Sequence, residues 1–464
     1  MRATSWLWRA VLMFQPLLVA VEARGASLPA LAVHPDHPHY FQTANGPPLL
    51  LIGAYTWGAF SDADYDYEAM FDTLQAHGLN FARVWLWWGC EQFPPPGDNR
   101  RVEPFLRPGP GEANDGRPKY DLTQFNPAFF KRLRDFCAAA RERGLFLQFI
   151  TVDAWMLKHA HLWKLHAFHR DNNINGVDGD PRHTGTGTDG QQGFCSLGNP
   201  KALSAQRAYL RKLVETLSGF DHVLIEIANE NYYSEAWERR LCEFIRELER
   251  GQPRPHLLMP LDLLNHSSVV QTWDVRRIHA ALLEKRRLRQ PLIFDTDWTL
   301  TQNDAQVRKA AWTAVLSGDH FNYLDDSFQI DGEHHGGVRG SRREALHRQI
   351  GHLAAFMRQT RFWEMAPADG LVRKGTAFVL ASTNELAAYL PSGGDVTLDL
   401  SKLSGPLEAH WFNPREGAWG AKVPLVGGLP QALAAPDADG DWTLLVGRRR
   451  WPLTSAEPDK HCPP

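Results

Sequence analysis

The chain has 464 residues, 43% hydrophobic and 22% charged, with a net charge of −3. That composition excludes a disordered chain, and without a basic excess it excludes a dedicated nucleic-acid binder. Tryptophan stands out: 17 Trp contribute to an aromatic content of 11%. Some of these rings must be core, and the question is whether others are a tool.

Residues 1–23 read as a secretory signal. Arg2 and Arg9 form a positive start, an apolar run spans 10–21, and Val21 and Ala23 supply small residues before a cleavage site. The run is too short to span a bilayer. The expected mature protein is therefore exported, secreted or periplasmic, with no membrane anchor. The five cysteines (Cys90, Cys137, Cys195, Cys242 and Cys462) are widely spaced. This argues against metal clusters and C-x-x-C redox chemistry. Cys137 and Cys242 lie on apolar helix stripes and are expected as buried thiols.

From residue 46 to 358 apolar runs alternate with helical patterns. The runs are 48–54, 79–86, 145–152, 223–228, 256–261, 268–272, 292–296 and 320–324. Helices are predicted over 64–77, from Asn126-Pro127 to Gly144, from Asn199-Pro200 onward, from Ser234 onward, and over 275–287, 304–317 and 341–358. Eight strands with intervening helices predict a (β/α)8 barrel over 33–365. The fifth-to-sixth connection is too short for a helix. Long insertions at 89–125 and 153–199 follow the second and third strands, on the side where a barrel builds its site. Beyond 370 the pattern changes to short alternating runs separated by Gly-Gly turns. This predicts an antiparallel β-sandwich over 370–450, followed by a loose tail at 455–464.

No HExxH, GxSxG or phosphate-binding glycine motif occurs, which argues against zinc proteases, esterases of the nucleophile-elbow type and P-loop enzymes. What remains are carboxylates at strand ends. IEIANEN (225–231) runs into Asn229-Glu230, placing an acid at the mouth of strand four beside an amide able to bind a hydroxyl. PLIFDTDW (291–298) ends strand seven in Asp295, Thr296, Asp297 and Trp298. Two carboxylates facing each other across a barrel permit glycoside hydrolysis, one as acid and one as nucleophile. Trp57, Trp85, Trp87, Trp88, Trp155, Trp163 and Trp298 cluster at the same mouth, and aromatic planes suit the C–H faces of sugars. Asp325 and His334, at and after the end of strand eight, are further candidates for substrate contact. The histidines from 159 to 169 fit no standard zinc spacing, so no metal and no cofactor is expected.

Asn229-Glu230 resembles the acid/base motif of clan-A glycoside hydrolases, and Arg83 in strand two is similar to that clan's arginine near the nucleophile. The clan's nucleophile is a Glu ending strand seven; here Thr296 takes that slot, with an Asp on each side. Asp297-Trp298 resembles the clan's Glu-Trp ending, which implies Asp297 as nucleophile, with Asp295 the alternative. GAYTW (53–57), NNING (172–176) and the DTD run are similar to secreted bacterial cellulase-like barrels, which adds Asn172 and Asn173 as substrate-site candidates. YLPSGG, WFNPREG and APDADGDW resemble a module named for collagen binding, expected here to pack on the barrel rather than bind collagen. The resemblance implies an exported hydrolase of poly- or oligosaccharides that retains configuration, or inverts it if the carboxyls stand far apart. The rival reading is a carbohydrate- or matrix-binding protein that has lost turnover.

Overall fold

A computed structural model describes residue 28 and residues 30–44, 46–86, 100–265, 274–296, 303–328 and 343–448. Eight parallel strands form one sheet: β1 (Ile52–Tyr55), β2 (Phe81–Trp85), β3 (Phe146–Asp153), β4 (Val223–Asn229), β5 (Leu257–Met259), β6 (Leu264–Asn265), β7 (Leu292–Thr296) and β8 (His320–Leu324). Their order, β5-β4-β3-β2-β1-β8-β7-β6, is that of a (β/α)8 barrel, with β1 paired to both β2 and β8. Seven helices alternate with the strands: α1 (Tyr67–Ala76), α2 (Pro127–Glu142), α3 (Pro200–Leu217), α4 (Glu235–Leu248), α5 (Val275–Arg286), α6 (Asp304–Leu316) and α7 (Glu344–Met357).

The caps stand where the sequence puts them. Asn126 accepts from the Ala128 N–H, Asn199 from Ala202 and Ser234 from Trp237, and Pro127 and Pro200 occupy first helical positions. Gly144, with φ of 74°, follows α2 and supplies the left-handed turn after a helix.

Two strand expectations change. The run 48–54 is not one strand: Pro48–Leu49 pairs antiparallel with Phe41–Thr43, which pairs with Leu31–Val33, and β1 begins at Ile52. This small sheet sets Leu31 and Phe41 against the barrel's N-terminal end, where Leu51, Phe81, Phe146, Leu224, Leu263 and Ile293 close the bore. Strand six is Leu264–Asn265, immediately after a cis Met259-Pro260 bond and a short turn; the expected 268–272 lies outside the described residues. Gly53 has a specific steric reason. A Cβ there would lie 1.8 Å from the Phe81 carbonyl oxygen of β2.

The C-terminal module is a sandwich of strands β9 (Phe378–Ala381), β10 (Glu385–Leu390), β11 (Asp395–Asp399), β12 (Pro406–Asn413), β13 (Ala418–Val426), β14 (Pro430–Ala434) and β15 (Trp442–Gly447). The larger sheet runs β9-β10-β15-β12-β13, with Ala366–Pro367 beside β9. The smaller sheet contains β11 and β14 beside Val372–Lys374. Along β9 and β10 the side chains divide by period two. Val379, Leu386, Ala388 and Leu390 face the smaller sheet with Trp411 and Trp442, while Phe378, Leu380, Ala387 and Tyr389 join the barrel core. Both faces are covered, so these strands read as continuous apolar runs.

The covering elements on the barrel side are α6 and α7. Trp312 stacks on Tyr389 at 5.6 Å, and Phe356 lies 5.2 Å from Phe412. Arg308 of α6 grips Asp441 through two bonds of 2.8 and 3.0 Å, and the Tyr389 hydroxyl donates to the same carboxylate at 3.0 Å. All three side chains are buried. Cys137, Cys195 and Cys242 are buried free thiols. Among the described residues no helix is long and apolar enough to cross a membrane. The expected signal segment (1–23), Cys90 and Cys462 lie outside the described residues.

Removing one partner of a buried, doubly bonded ion pair leaves an uncompensated charge. Arg308→Ala should therefore lower unfolding free energy by about 3–5 kcal/mol, read as a drop in the urea midpoint. A loss below about 1 kcal/mol, the worth of an exposed pair, would show that the junction is not held this way.

Candidate active site

Alternate residues along a barrel strand face the bore, so its contents form layers. Above the apolar plug lies a polar layer: Arg83 of β2, Gln148 of β3, Glu226 of β4, Asp295 of β7 and Asn322 of β8. Above that, Tyr55, Trp85, Ile150 and Leu324 make an apolar floor, against which the half-buried Trp57 and Trp155 pack.

Arg83 organises the polar layer. Its Nε and Nη2 form a fork on Glu226 at 2.8 and 2.6 Å, Nη1 donates to Asp295 at 2.8 Å, and Nη2 also reaches the Asn229 Oδ1 at 3.0 Å. Gln148 donates to Glu226 at 2.7 Å. Asp295 receives further bonds from Asn322 at 2.7 Å and from the Tyr55 hydroxyl at 3.3 Å. Although burial acts against its charge, the two carboxylates hold the Arg83 guanidinium ionised and push its pKa up. Its carbon also lies 4.8 Å from the Trp85 ring centroid, beneath the floor.

Three expected site residues are buried. Asp295 has 0% exposure and accepts from Arg83, Asn322 and Tyr55, which makes it a brace of the bore. Arg83, 2% exposed, is turned onto Glu226, Asp295 and Asn229. Trp85 is 4% exposed and serves as floor rather than wall.

The mouth is built where β3 and β4 end. The strands stay in register to their last pair, Asp153 opposite Asn229. The Ala154 N–H then donates to the Asn229 carbonyl at 3.0 Å. Glu230 follows with φ of 50°, a left-handed backbone rarely adopted by a residue with a side chain. The next turn holds it there. The Asn231 side chain accepts from the Tyr233 and Ser234 amides and donates to the Ser234 carbonyl and to Glu238. Burial pushes the Glu238 carboxyl up to about 8.

The Glu230 side chain is 23% exposed and has Lys158 Nζ at 3.8 Å. Lys158 also lies 5.3 Å from the Trp155 centroid, and the His159 ring is tilted against the same indole at 4.2 Å. Tyr232 is 60% exposed, two residues past Glu230. Among the described residues the site therefore offers an accessible carboxyl, an adjacent ammonium and amide, and half-buried indoles above an apolar floor. These groups can bind an uncharged, ring-shaped molecule and give it a proton.

Other candidates fall elsewhere. Asn172 and Asn173 are buried and spent on their own loop: Asn172 donates to the carbonyls of Lys164 and His166, and Asn173 to those of Ala167, His169 and Val177. They shape the second insertion and do not present amides to a substrate. Trp163 is the core of that insertion; a Cβ on Gly179 or Gly187 would strike its ring. Asp325 is fully buried and faces away from the bore, accepting from Tyr323, Ser327 and His347 of α7. Burial acts to raise its pKa, but the His347 bond and charge bring it below the usual carboxylate value. Asp325 thus ties β8 to α7. Trp87, Trp88, Asp297, Trp298 and His334 lie outside the described residues.

Four residues escaped the sequence reading. Asp153 ends β3 as Asn229 ends β4, so the same strand-end logic could have found it. Glu226 is a charge inside an apolar run, itself a signal of a buried partner. Tyr232 follows the Asn-Glu motif directly. For Lys158 the sequence carries no signal.

A family model described as "Domain of unknown function (DUF6298)" matches residues 101–254, and one described as "Putative collagen-binding domain of a collagenase" matches 370–447. The first match contains Asp153, Asn229 and Glu230. No curated protein matches the chain in sequence. Among solved structures, one described as a glycoside hydrolase is similar at TM-score 0.61 and 15% identity, over 90% of this chain and 97% of that one. A family 5 glycoside hydrolase from Bacteroides vulgatus gives 0.62 and 15%, over 90% and 93%. A further glycoside hydrolase structure from the same organism, itself described as putative, gives 0.64 and 14%, over 92% and 83%. At that identity the likeness shows the fold alone, a (β/α)8 barrel followed by a C-terminal β module.

Arg83→Met should cost about 3–5 kcal/mol, because it leaves Glu226 and Asp295 buried without their cation. Denaturant unfolding checks this, and wild-type stability would refute the role given to the polar layer.

Proposed function

We propose that the chain is an exported glycoside hydrolase that cleaves O-glycosidic bonds in poly- or oligosaccharides. The observation that carries this reading is Glu230: a partly exposed carboxyl at the end of β4, beside Asn229 and above a floor of Tyr55 and Trp85. Fold similarity is consistent with the reading but is not its basis.

Glu230 is assigned as acid/base. Asp297 is the proposed nucleophile; in sequence it is the next position of the period-two pattern that runs Ile293, Asp295. In the first step the Asp297 carboxylate bonds to the anomeric carbon, the glycosidic C–O bond breaks, and Glu230 gives its proton to the departing oxygen. In the second, Glu230 takes a proton from water, the water oxygen bonds to the anomeric carbon, and the ester to Asp297 breaks. Two displacements retain the anomeric configuration. Asn229 would hold the hydroxyl next to the reacting carbon, and Trp57 and Trp155 would pack on sugar faces. Two carboxyls suffice, so no cofactor enters. The sandwich, with β9, β10 and β15 of its larger sheet buried, is assigned a structural role rather than collagen binding.

A glycan panel tests the proposal. Wild type should release reducing ends from at least one member, with the anomer retained by NMR, and Glu230→Gln should lower kcat by roughly 10²–10⁴-fold with an unchanged fold. Equal turnover by the variant would remove Glu230 from the chemistry. Retention of a glycan with no release by wild type would favour a binding protein.

A further inference from the structure

The strand-end carboxyl of β3 has no part in the two-carboxyl scheme, yet it is built into the site. Asp153 is 2% exposed and lies opposite Asn229 in the β3–β4 register. The Asn229 Nδ2 donates to the Asp153 Oδ1 at 3.1 Å, and the Asn229 Oδ1 accepts from Arg83 at 3.0 Å. These two bonds are complementary. Arg83 can only donate, so it demands the oxygen end of the amide; a carboxylate can only accept, so it demands the nitrogen end. Together they fix which way the amide points. One N–H of Nδ2 is used by Asp153, and the other remains for a ligand hydroxyl.

We propose that Asp153 is a positioning residue for the hydrolytic site: it orients the Asn229 amide toward substrate and, through its charge, holds the proton on Glu230. The proposal rests on the assignment of Glu230 as acid/base.

The electrostatic half follows from placement. Asp153 and Glu230 end adjacent strands, and each disfavours ionisation of the other. Burial first, then the Glu230 charge, push the Asp153 carboxyl up to about 7, against the lowering effects of the Asn229 bond and Arg83. The other groups facing the pair are Arg83 from β2, Lys158 beside Glu230, and Tyr233, whose hydroxyl is pushed up to about 12 by burial and then by nearby acids, Glu230 and Asp153 among them. Two coupled carboxyls lose their protons in separate steps, and the last leaves at a higher pH than it would from Glu230 alone. Glu230 must be protonated to act as acid. A neutral residue at 153 should therefore move the alkaline limb of activity to lower pH.

The two halves separate by substitution. Asp153→Asn keeps an acceptor for Asn229 but removes the charge. It should shift the alkaline limb of kcat down by about one pH unit with KM nearly unchanged. Asp153→Ala removes both, and should shift the same limb and also raise KM several-fold. A second readout needs no turnover: the infrared carboxylic-acid band of the wild-type protein should contain a component titrating near pH 7, absent in Asp153→Asn. A uniform fall in kcat with no limb shift, or a wild-type spectrum without that component, would overturn the proposal. Turnover by wild type with an unmoved limb sinks this inference and spares the hydrolase reading. Absence of turnover on every glycan, with the infrared component present, sinks the hydrolase reading and with it the role in catalysis.

Discussion

The structure depends on one buried cation. Arg83 is buried inside the barrel, where an isolated guanidinium would be prohibitively desolvated. Its five N–H groups need acceptors from several directions, and the barrel supplies them: Glu226 and Asn229 from β4, Asp295 from β7. One cation against two carboxylates leaves an excess acceptor charge, so Gln148, Asn322 and Tyr55 contribute further donors. Each member thereby constrains the next. The result is a rigid polar plate between an apolar plug below and an aromatic floor above.

That plate leaves the mouth as the end of the barrel where Glu230 and Tyr232 stay open. Arg83, Glu226 and Asp295 are bonded within the polar layer, and the layer of Tyr55, Trp85, Ile150 and Leu324 covers them. Asn229 is the only side chain among the described residues that bonds to both Arg83 below and the rim residue Asp153. The left-handed backbone at Glu230 follows directly after it. Such a conformation persists only where the surroundings over-determine it. Here strand pairing fixes the chain through Asn229, and the Asn231 turn fixes it again before α4.

Much of this was legible because the apolar runs are interrupted regularly. LNFARVWL, LFLQFITV, VLIEIA, LIFDT and HFNYL each carry one residue of the polar layer, Arg83, Gln148, Glu226, Asp295 and Asn322 in turn. Read one run at a time, these look like blemishes; as a set they are a layer. Caps at Asn126, Asn199 and Ser234 were legible because capping is local chemistry. Strand six was misplaced because a two-residue strand leaves almost no periodic signal. Asp295, Asn172, Asn173 and Asp325 are more buried than the sequence suggests, for a common reason. A polar residue beside a strand end or in a long insertion looks the same in sequence whether it faces a ligand or bonds to its own backbone. Depth in the bore separates Asp295 from a substrate contact, and only the third dimension supplies depth.

The sandwich bears on the site through the helices it covers. α6 follows β7 and α7 follows β8, the strands that contribute Asp295 and Asn322 to the polar layer. The module clamps both helices: Arg308 and Trp312 of α6 engage Asp441 and Tyr389, and Phe356 of α7 packs on Phe412 and Trp419. Asp325 ties β8 to α7 through His347. A continuous packed path therefore runs from the sandwich through α7 and β8 to Asn322, Asp295 and Arg83. Its far end is Asn229. In a close-packed interior such a path resists displacement rather than absorbing it. This gives the module a physical reason to accompany the barrel: it stiffens the half of the wall on which Arg83 must find its second carboxylate.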